Sequence, residues 1–299
     1  MSVSVIIPTL NAEKYIGELL ESLLCQSIPA EIIVVDSSSD DDTVSVVKRI
    51  SPDVKLISVE RKSFDHGGTR DLALRQSSGD LVVFLTQDAL PVNDRCIEML
   101  LSAFEDPSVA AVYARQTARE DAPEYEKLIR EYNYPSNGHV RCEKDIAKYG
   151  VKSYFFSDTC AAYRRSAYEL AGGFDSPIES NEDMMIAAKF LHSGYSIAYE
   201  PRASVYHSHS STLRQDLRRN IVIGRVMEKY KDRLYGSDTL GEGSRLFKYV
   251  AGSLIKKKMF IEFCAFVLHT GVRFIGNRFG KAQIMLGGPH ENDSSSVKL

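Results

Sequence analysis

A chain of 299 residues with 43% hydrophobic and 26% charged residues has the composition of a soluble globular protein, long enough for one large domain and an appendage. Its five cysteines (Cys25, Cys96, Cys142, Cys160, Cys264) are odd in number and form no CxxC pair, which argues against a disulfide framework or thiolate zinc site and for a reducing compartment. The formal net charge of −3 conceals an asymmetry: residues 1–209 carry 21 Lys/Arg against 32 Asp/Glu, residues 210–281 carry 15 against 6. A basic final third suits an anionic lipid or anionic substrate, or is simply a solvated helical face.

The first residues enter a strand-like run without a charged segment and apolar stretch, so no signal peptide is expected, and a cytoplasmic location is. Val3 to Ile7 reads as a strand stopped by Pro8. Asn11 is placed to cap a helix whose Ile16, Leu19, Leu20, Leu23 and Leu24 share one face. Ile32 to Val35 is a second strand, ending at Asp36, and Val54 to Val59 a third. Gly67-Gly68-Thr69 opens a helix, Leu81 to Leu85 is a fourth strand running to Asp88, and Asn93 is placed to cap the next helix. Unalternated strands separated by helices predict a parallel sheet covered on both faces, with ligands outside the carboxyl ends of the strands. Thr9, Asn11, Asp36 and Asp88 fall there.

From Tyr125 to Arg165 the rhythm loosens into aromatic and polar clusters, read as a variable acceptor-side segment. Ser166 to Gly173 and Glu182 to Ser193 read as helices, and Ser196 to Tyr199 and Ser204 to His207 as final strands. A basic helical region begins near Leu213, and residues 287–299 read as a disordered polar tail.

Several positions carry chemistry. A carboxylate at Asp36 can accept the ring N–H of uracil or thymine, or merely cap its own turn. In His66-Gly67-Gly68-Thr69-Arg70-Asp71 the glycines admit close backbone approach, and Arg70 can engage phosphate; a plain helix start fits equally well. Asp88 can hold Mg²⁺ or Mn²⁺ against a diphosphate, with His207 as second ligand and His209 as its competitor. Glu182-Asp183 opens a helix; such acids serve the dipole or supply a fixed base at a cleft mouth.

These segments together resemble the inverting bacterial glycosyltransferases of family 2. The resemblance rests on Val5 to Asn11, the Val35-Asp36 turn with Asp41 and Thr43, Thr69-Arg70-Asp71, the Asp88 segment, Gly172 to Asp175, Glu182-Asp183, Pro201 and His207. It implies an α/β GT-A nucleotide-sugar-binding fold, with a Rossmann-like mostly parallel sheet and a helical C-terminal appendage. It makes Asp183 the catalytic base, Asp36 a base-recognition residue and Asp88 the metal-binding aspartate, with Pro8, Thr9 and Asn11 lining the nucleoside pocket. His66, Arg70, Asp71, Gln87 and Glu182 are expected substrate-binding residues. Two departures stand out: Thr86-Gln87-Asp88 replaces the usual D-x-D, and Lys189 stands where an arginine often follows the E-D helix. The Q-x-x-R-W motif of processive synthases is absent, which favours addition of one or a few sugars.

Ser63 to Asp71 together with Thr86 to Pro91 looks most like the rhamnosyltransferase branch, implying dTDP-L-rhamnose as donor and a surface-polysaccharide or polyprenyl-linked glycan acceptor. A UDP-sugar donor on the same machinery is the alternative, and a sugar nucleotidyltransferase the alternative from another class. The expected organisation is a catalytic domain over 1–209, a basic helical region over 210–286 and the tail. No nucleic-acid partner is expected. An anionic membrane surface is a candidate partner, met peripherally on the inner face of the plasma membrane. Leu246, Tyr249, Val250, Ser253 and Leu254 share a face before Lys256-Lys257-Lys258, and either lipid or protein can cover it. The apolar stretch from Met259 to Leu268 is interrupted by Glu262 and too short to span a bilayer; it can lie in the interface with Lys256 to Lys258 facing anionic headgroups, or pack on the catalytic domain or a dimer partner.

Overall fold

The computed structural model describes residues 1–208, 211–235 and 239–287. His209 and residues 288–299 of the expected tail lie outside the described residues. The first part alternates β1 (Val3–Thr9), α1 (Glu13–Leu24), β2 (Glu31–Asp36), α2 (Thr43–Ile50), β3 (Lys55–Ser58), α3 (His66–Arg75), β4 (Leu81–Leu85), β5 (Leu90–Pro91) and α4 (Cys96–Leu101). There follow β6 (Val109–Thr117), α5 (Glu124–Asn133), β7 (His139–Arg141), α6 (Ile146–Tyr149), β8 (Cys160–Arg164), α7 (Arg165–Leu170), α8 (Glu182–His192) and β9 (Ser196–Tyr206). Three longer helices close the chain: α9 (Leu213–Lys229), α10 (Thr239–Lys256) and α11 (Phe260–Met285).

The strands form one sheet in the order β3-β2-β1-β4-β8-β6-β9-β5, with β7 paired to β9. β1, β2, β3 and β4 are parallel, as their unbroken apolar runs require, and β6 is parallel to β9. β8 enters antiparallel between β4 and β6, with Cys160 beside Leu85. The sheet is thus α/β but more mixed than a purely parallel reading allows. That inversion positions the site: the start of β8 lies at the same edge as the ends of β1, β2 and β4.

Each sheet face buries its own core. Ile6, Phe84 and Tyr163 meet α8 residues such as Ile186 and Phe190 on one side. Val5, Ile7 and Val83 meet Ile16 and Leu20 of α1 on the other.

Local expectations are corrected at several points. β1 runs through Pro8 to Thr9; its pairing with β4 ends at Ile6, so the missing N–H removes no ladder bond on that side. Asn11 does not cap α1. It adopts a left-handed conformation (φ 51°), and Ala12 is the capping residue. Asn93 also stands too early: Arg95 precedes α4, and Asn93 Oδ1 accepts from the Arg95 N–H at 3.0 Å. Residues 196–207 hold one strand rather than two, irregular between Glu200 and Ser204.

The last three helices dock on the sheet domain. α9 and α11 approach closely at glycines; a Cβ on Gly224 would lie 2.2 Å from the Asn277 carbonyl oxygen, and one on Gly280 2.0 Å from that of Ile221. The α10 face with Val250 and Leu254 packs on Leu128 of α5 and Phe266 of α11. Protein, not lipid, covers that face.

Candidate active site

The donor side lies at the ends of β1 and β2. Asp36 is buried; its Oδ2 accepts from the Ser39 N–H at 3.0 Å and its Oδ1 from the Ser39 and Thr9 hydroxyls. The carboxylate therefore closes its own turn, while Oδ2, with a single donor, keeps further acceptor capacity. Asn11 Oδ1 accepts from the Asp40 N–H at 2.9 Å, and the Asn11 N–H donates to Ser39 Oγ at 2.9 Å, tying the two strand-end loops together. Gln87 clamps the Leu10 backbone: its Oε1 accepts from Leu10 N–H at 2.8 Å and its amide donates to Leu10 O at 3.2 Å. Pro8 pairs with Val35 behind this loop.

Beside it stand Asp88 and His207. His207 Nε2 is 3.6 Å from Asp88 Oδ2. The Gln116 Oε1 accepts from Arg130, so it accepts again from His207 Nδ1–H at 2.9 Å. That bond fixes the tautomer in which Nε2 carries the lone pair of the neutral ring and faces the carboxylate. An imidazole nitrogen and a carboxylate oxygen directed at one spot suit a divalent cation. Among the described residues no group of three or more His, Cys, Asp or Glu gathers here, so the diphosphate itself would have to complete the coordination. Arg119 adds a cation, its guanidinium 3.5 Å from the Asp88 carbonyl.

The third group is a buried charge cluster under the cleft. Arg70 Nη1 lies 3.1 Å from Glu182 Oε1, and its Nε lies 3.6 Å from Asp158 Oδ2. Arg70 is buried among carboxylates and thus not presented to phosphate as the sequence suggested. Asp183 Oδ1 accepts from the Met184 N–H at 2.7 Å, and its Oδ2 from the Asp158 N–H at 3.3 Å. Asn181, left-handed at φ 59°, turns the chain so that Glu182 and Asp183 lead α8.

One guanidinium thus faces three carboxylates, and they respond unequally. Burial raises Asp183 well above the carboxylate range, and the charges of Glu182 and Asp158 push it the same way. Burial also raises Asp158, to about 7, with Glu182 adding to the effect against Arg70 and the Tyr163 hydroxyl. Burial would raise Glu182 too, but Arg70 and His66 outweigh it and hold it below its ordinary value. His66, whose Nδ1 is 3.9 Å from Glu182, is lowered by burial despite the pull of that neighbour. Glu182 carries the charge that pairs Arg70, and Asp183 is left a strongly basic carboxylate when ionised.

Other positions singled out in the sequence serve the scaffold. Asp71 accepts from Arg75 at 2.7 Å and from the Tyr168 hydroxyl at 3.0 Å. The glycine pair of α3 admits protein rather than ligand: a Cβ on Gly67 would lie 2.2 Å from the Asp175 carbonyl oxygen. Lys189 bonds the Gly173 carbonyl at 2.7 Å and Asp175 at 3.0 Å, fixing that same segment. Sequence reasoning missed Asp158, Gln116 and Arg119. Asp158 precedes the antiparallel β8, and Gln116 ends β6, neither of which interrupts the sequence with an obvious turn signal. An unbroken Val109 to Ala114 run was the available clue.

Comparison with known proteins agrees with this geometry. The sequence model for glycosyl transferase family 2 matches residues 4–171. The O-antigen chain rhamnosyltransferase RfbN of Salmonella typhimurium is 36% identical over 285 residues, 94% of this chain and 90% of that protein. WbaN of Salmonella anatum, also an O-antigen chain rhamnosyltransferase, is 39% identical over 256 residues, 85% and 80% of the two chains. Among solved structures, the mannosyltransferase PcManGT from Pyrobaculum calidifontis, in complex with GDP-Man and Mn²⁺, superposes with a TM-score of 0.61. It is 21% identical and covers 95% of this chain and 85% of its own, a likeness of fold. The chain belongs to glycosyl transferase family 2 and is a glycosyltransferase with the GT-A fold.

Proposed function

We propose that this enzyme transfers L-rhamnose from dTDP-L-rhamnose, with inversion, to a hydroxyl of a surface-polysaccharide precursor or polyprenyl-linked glycan. The observation that carries this is the similarity to two O-antigen chain rhamnosyltransferases along most of both chains. Pro8, Thr9, Asn11 and Asp36 form the nucleoside side, where Asp36 accepts the N–H of the thymine ring. Asp88 and His207 would hold Mg²⁺ or Mn²⁺, which when bound neutralises the departing diphosphate. Arg119 adds positive charge on that side.

Asp183 acts as the base. In its ionised form it takes the proton of the acceptor hydroxyl while that oxygen bonds to the anomeric carbon. The bond from that carbon to the diphosphate oxygen breaks on the opposite face, and nucleoside diphosphate leaves. A single displacement of this kind inverts the anomeric centre. Glu182 and Arg70 hold the charge balance around the base.

The test is a panel of dTDP- and UDP-sugars scored by nucleoside diphosphate release, with and without EDTA. The expected result is turnover of dTDP-L-rhamnose that EDTA abolishes. Preferential turnover of a UDP-sugar would replace the donor assignment. Full activity in EDTA would move leaving-group stabilisation from a metal to arginine.

A further inference from the structure

α11 is a 26-residue helix with protein on one side only. Phe266, Gly276 and Gly280 are buried, whereas Phe260, Ile261, Leu268, Phe274, Ile275 and Phe279 are exposed, Ile261 by 88% and Ile275 by 62%. At about 100° per residue these six fall within an arc of roughly 140° that runs from Phe260 to Phe279, about 29 Å along the helix. A surface helix normally turns such a stripe inward. An exposed apolar strip of this length marks an interaction surface.

Charge selects the occupant. The strip contains Arg278; exposed Lys256 and Lys258 stand at its start, and Lys281 borders it near the end. The only acidic residue of α11, Glu262, lies on the other side, where its carboxylate accepts from the Tyr125 N–H. A second copy would therefore meet Arg278 with no carboxylate from this helix, and would set two strongly basic regions together. No helix of the described residues is long and apolar enough to cross a membrane. A long apolar strip with cationic borders fits the interface of an anionic bilayer, the helix lying in the plane with its lysines among the headgroups.

We propose that the exposed face of α11, rather than the α10 face, seats the enzyme on an anionic membrane. α9, which packs along α11, carries Arg219 close enough to act electrostatically on His66 and Glu182. The membrane reading does not depend on the donor assignment.

Flotation of the full chain, without donor, on vesicles of phosphatidylcholine with or without phosphatidylglycerol tests it. The expected result is binding to the phosphatidylglycerol vesicles alone, weakened by salt. The double variant Leu268→Glu/Ile275→Glu should weaken binding by about tenfold or more, since each places a carboxylate among acyl chains. Lys256→Gln/Lys258→Asn should lose about fivefold per lysine. Both variants should keep the thermal midpoint and the rate of nucleoside diphosphate release with a soluble acceptor. Equal binding to neutral vesicles, or undiminished binding by Leu268→Glu/Ile275→Glu, overturns the proposal. So does a wild-type dimer in sedimentation equilibrium that ignores vesicles and that the same double variant dissociates.

Discussion

Two groups of acids lie at one edge of the sheet and are treated oppositely. In the loop after β2, Asp36 accepts from Ser39 N–H and two hydroxyls. Asp41 nearby accepts from the Thr43 N–H at 3.0 Å and the Glu13 N–H at 3.1 Å, as well as the Thr43 hydroxyl. Burial works to raise Asp41, but those donors outweigh it and hold it below its ordinary value. Around Asp183 the donors are fewer and the charges more crowded: Glu182 and Asp158 pair with Arg70 beside it, and Asp158 and Asp183 are pushed upward. Acids that receive enough donors build the loop. The acid left short of them holds a proton it can lose and regain, which general-base chemistry needs.

The most damaging way to break this contrast is to remove the shared cation. Arg70→Met leaves the buried Glu182 carboxylate without its counter-charge and should destabilise the fold by about 3–5 kcal/mol at neutral pH. The loss should shrink as the pH is taken to about 3, because Glu182, which Arg70 holds below its ordinary value in the folded chain, then loses its charge in folded and unfolded chains alike. Urea denaturation at both pH values checks it; an equal loss at each would assign Arg70 a packing role. Next in size, Gln116→Leu removes the acceptor that orients His207. It should raise the Mg²⁺ or Mn²⁺ concentration for half-maximal activity by about ten- to a hundredfold, with little change at saturating metal. An unchanged metal requirement would separate His207 from metal binding.

A subtler change sharpens the contrast. The raised pKa of Asp183 means that turnover climbs with pH as the base ionises. Glu182→Gln removes a negative neighbour that helps raise it, so the rising limb of the profile should move to lower pH. A limb that stays in place would identify the titrating group as another residue.

Much of this was legible in the sequence because each signal was local. Apolar runs without alternation marked β1, β2 and β4, and the polar residue after each marked the cleft edge. The Asp88–His207 pairing joins residues distant in sequence, yet each stood at a predicted strand end. Order along the sheet was not legible. No local feature announces that β8 runs antiparallel, so Asp158, which that reversal carries beside Asp183, went unseen. The same limit explains Arg70 and Gly67. A guanidinium at a helix start can meet phosphate or carboxylate, and a glycine can admit ligand or protein; only the position of the 174–178 segment and of α8 decides between them. α10 and α11 show the converse: the sequence showed an apolar face on the first and an apolar stretch at the start of the second, and tertiary packing covered the α10 face and left a strip of α11 open.

The central claim is that Asp183 is the base and that its neighbours set its charge. Its most direct test compares donor affinity, by calorimetry, with the rate of nucleoside diphosphate release in a folded Asp183→Asn variant. The account predicts donor affinity within about twofold of wild type and turnover reduced by about a hundredfold or more. Wild-type turnover in that variant would contradict it and pass the role to Glu182.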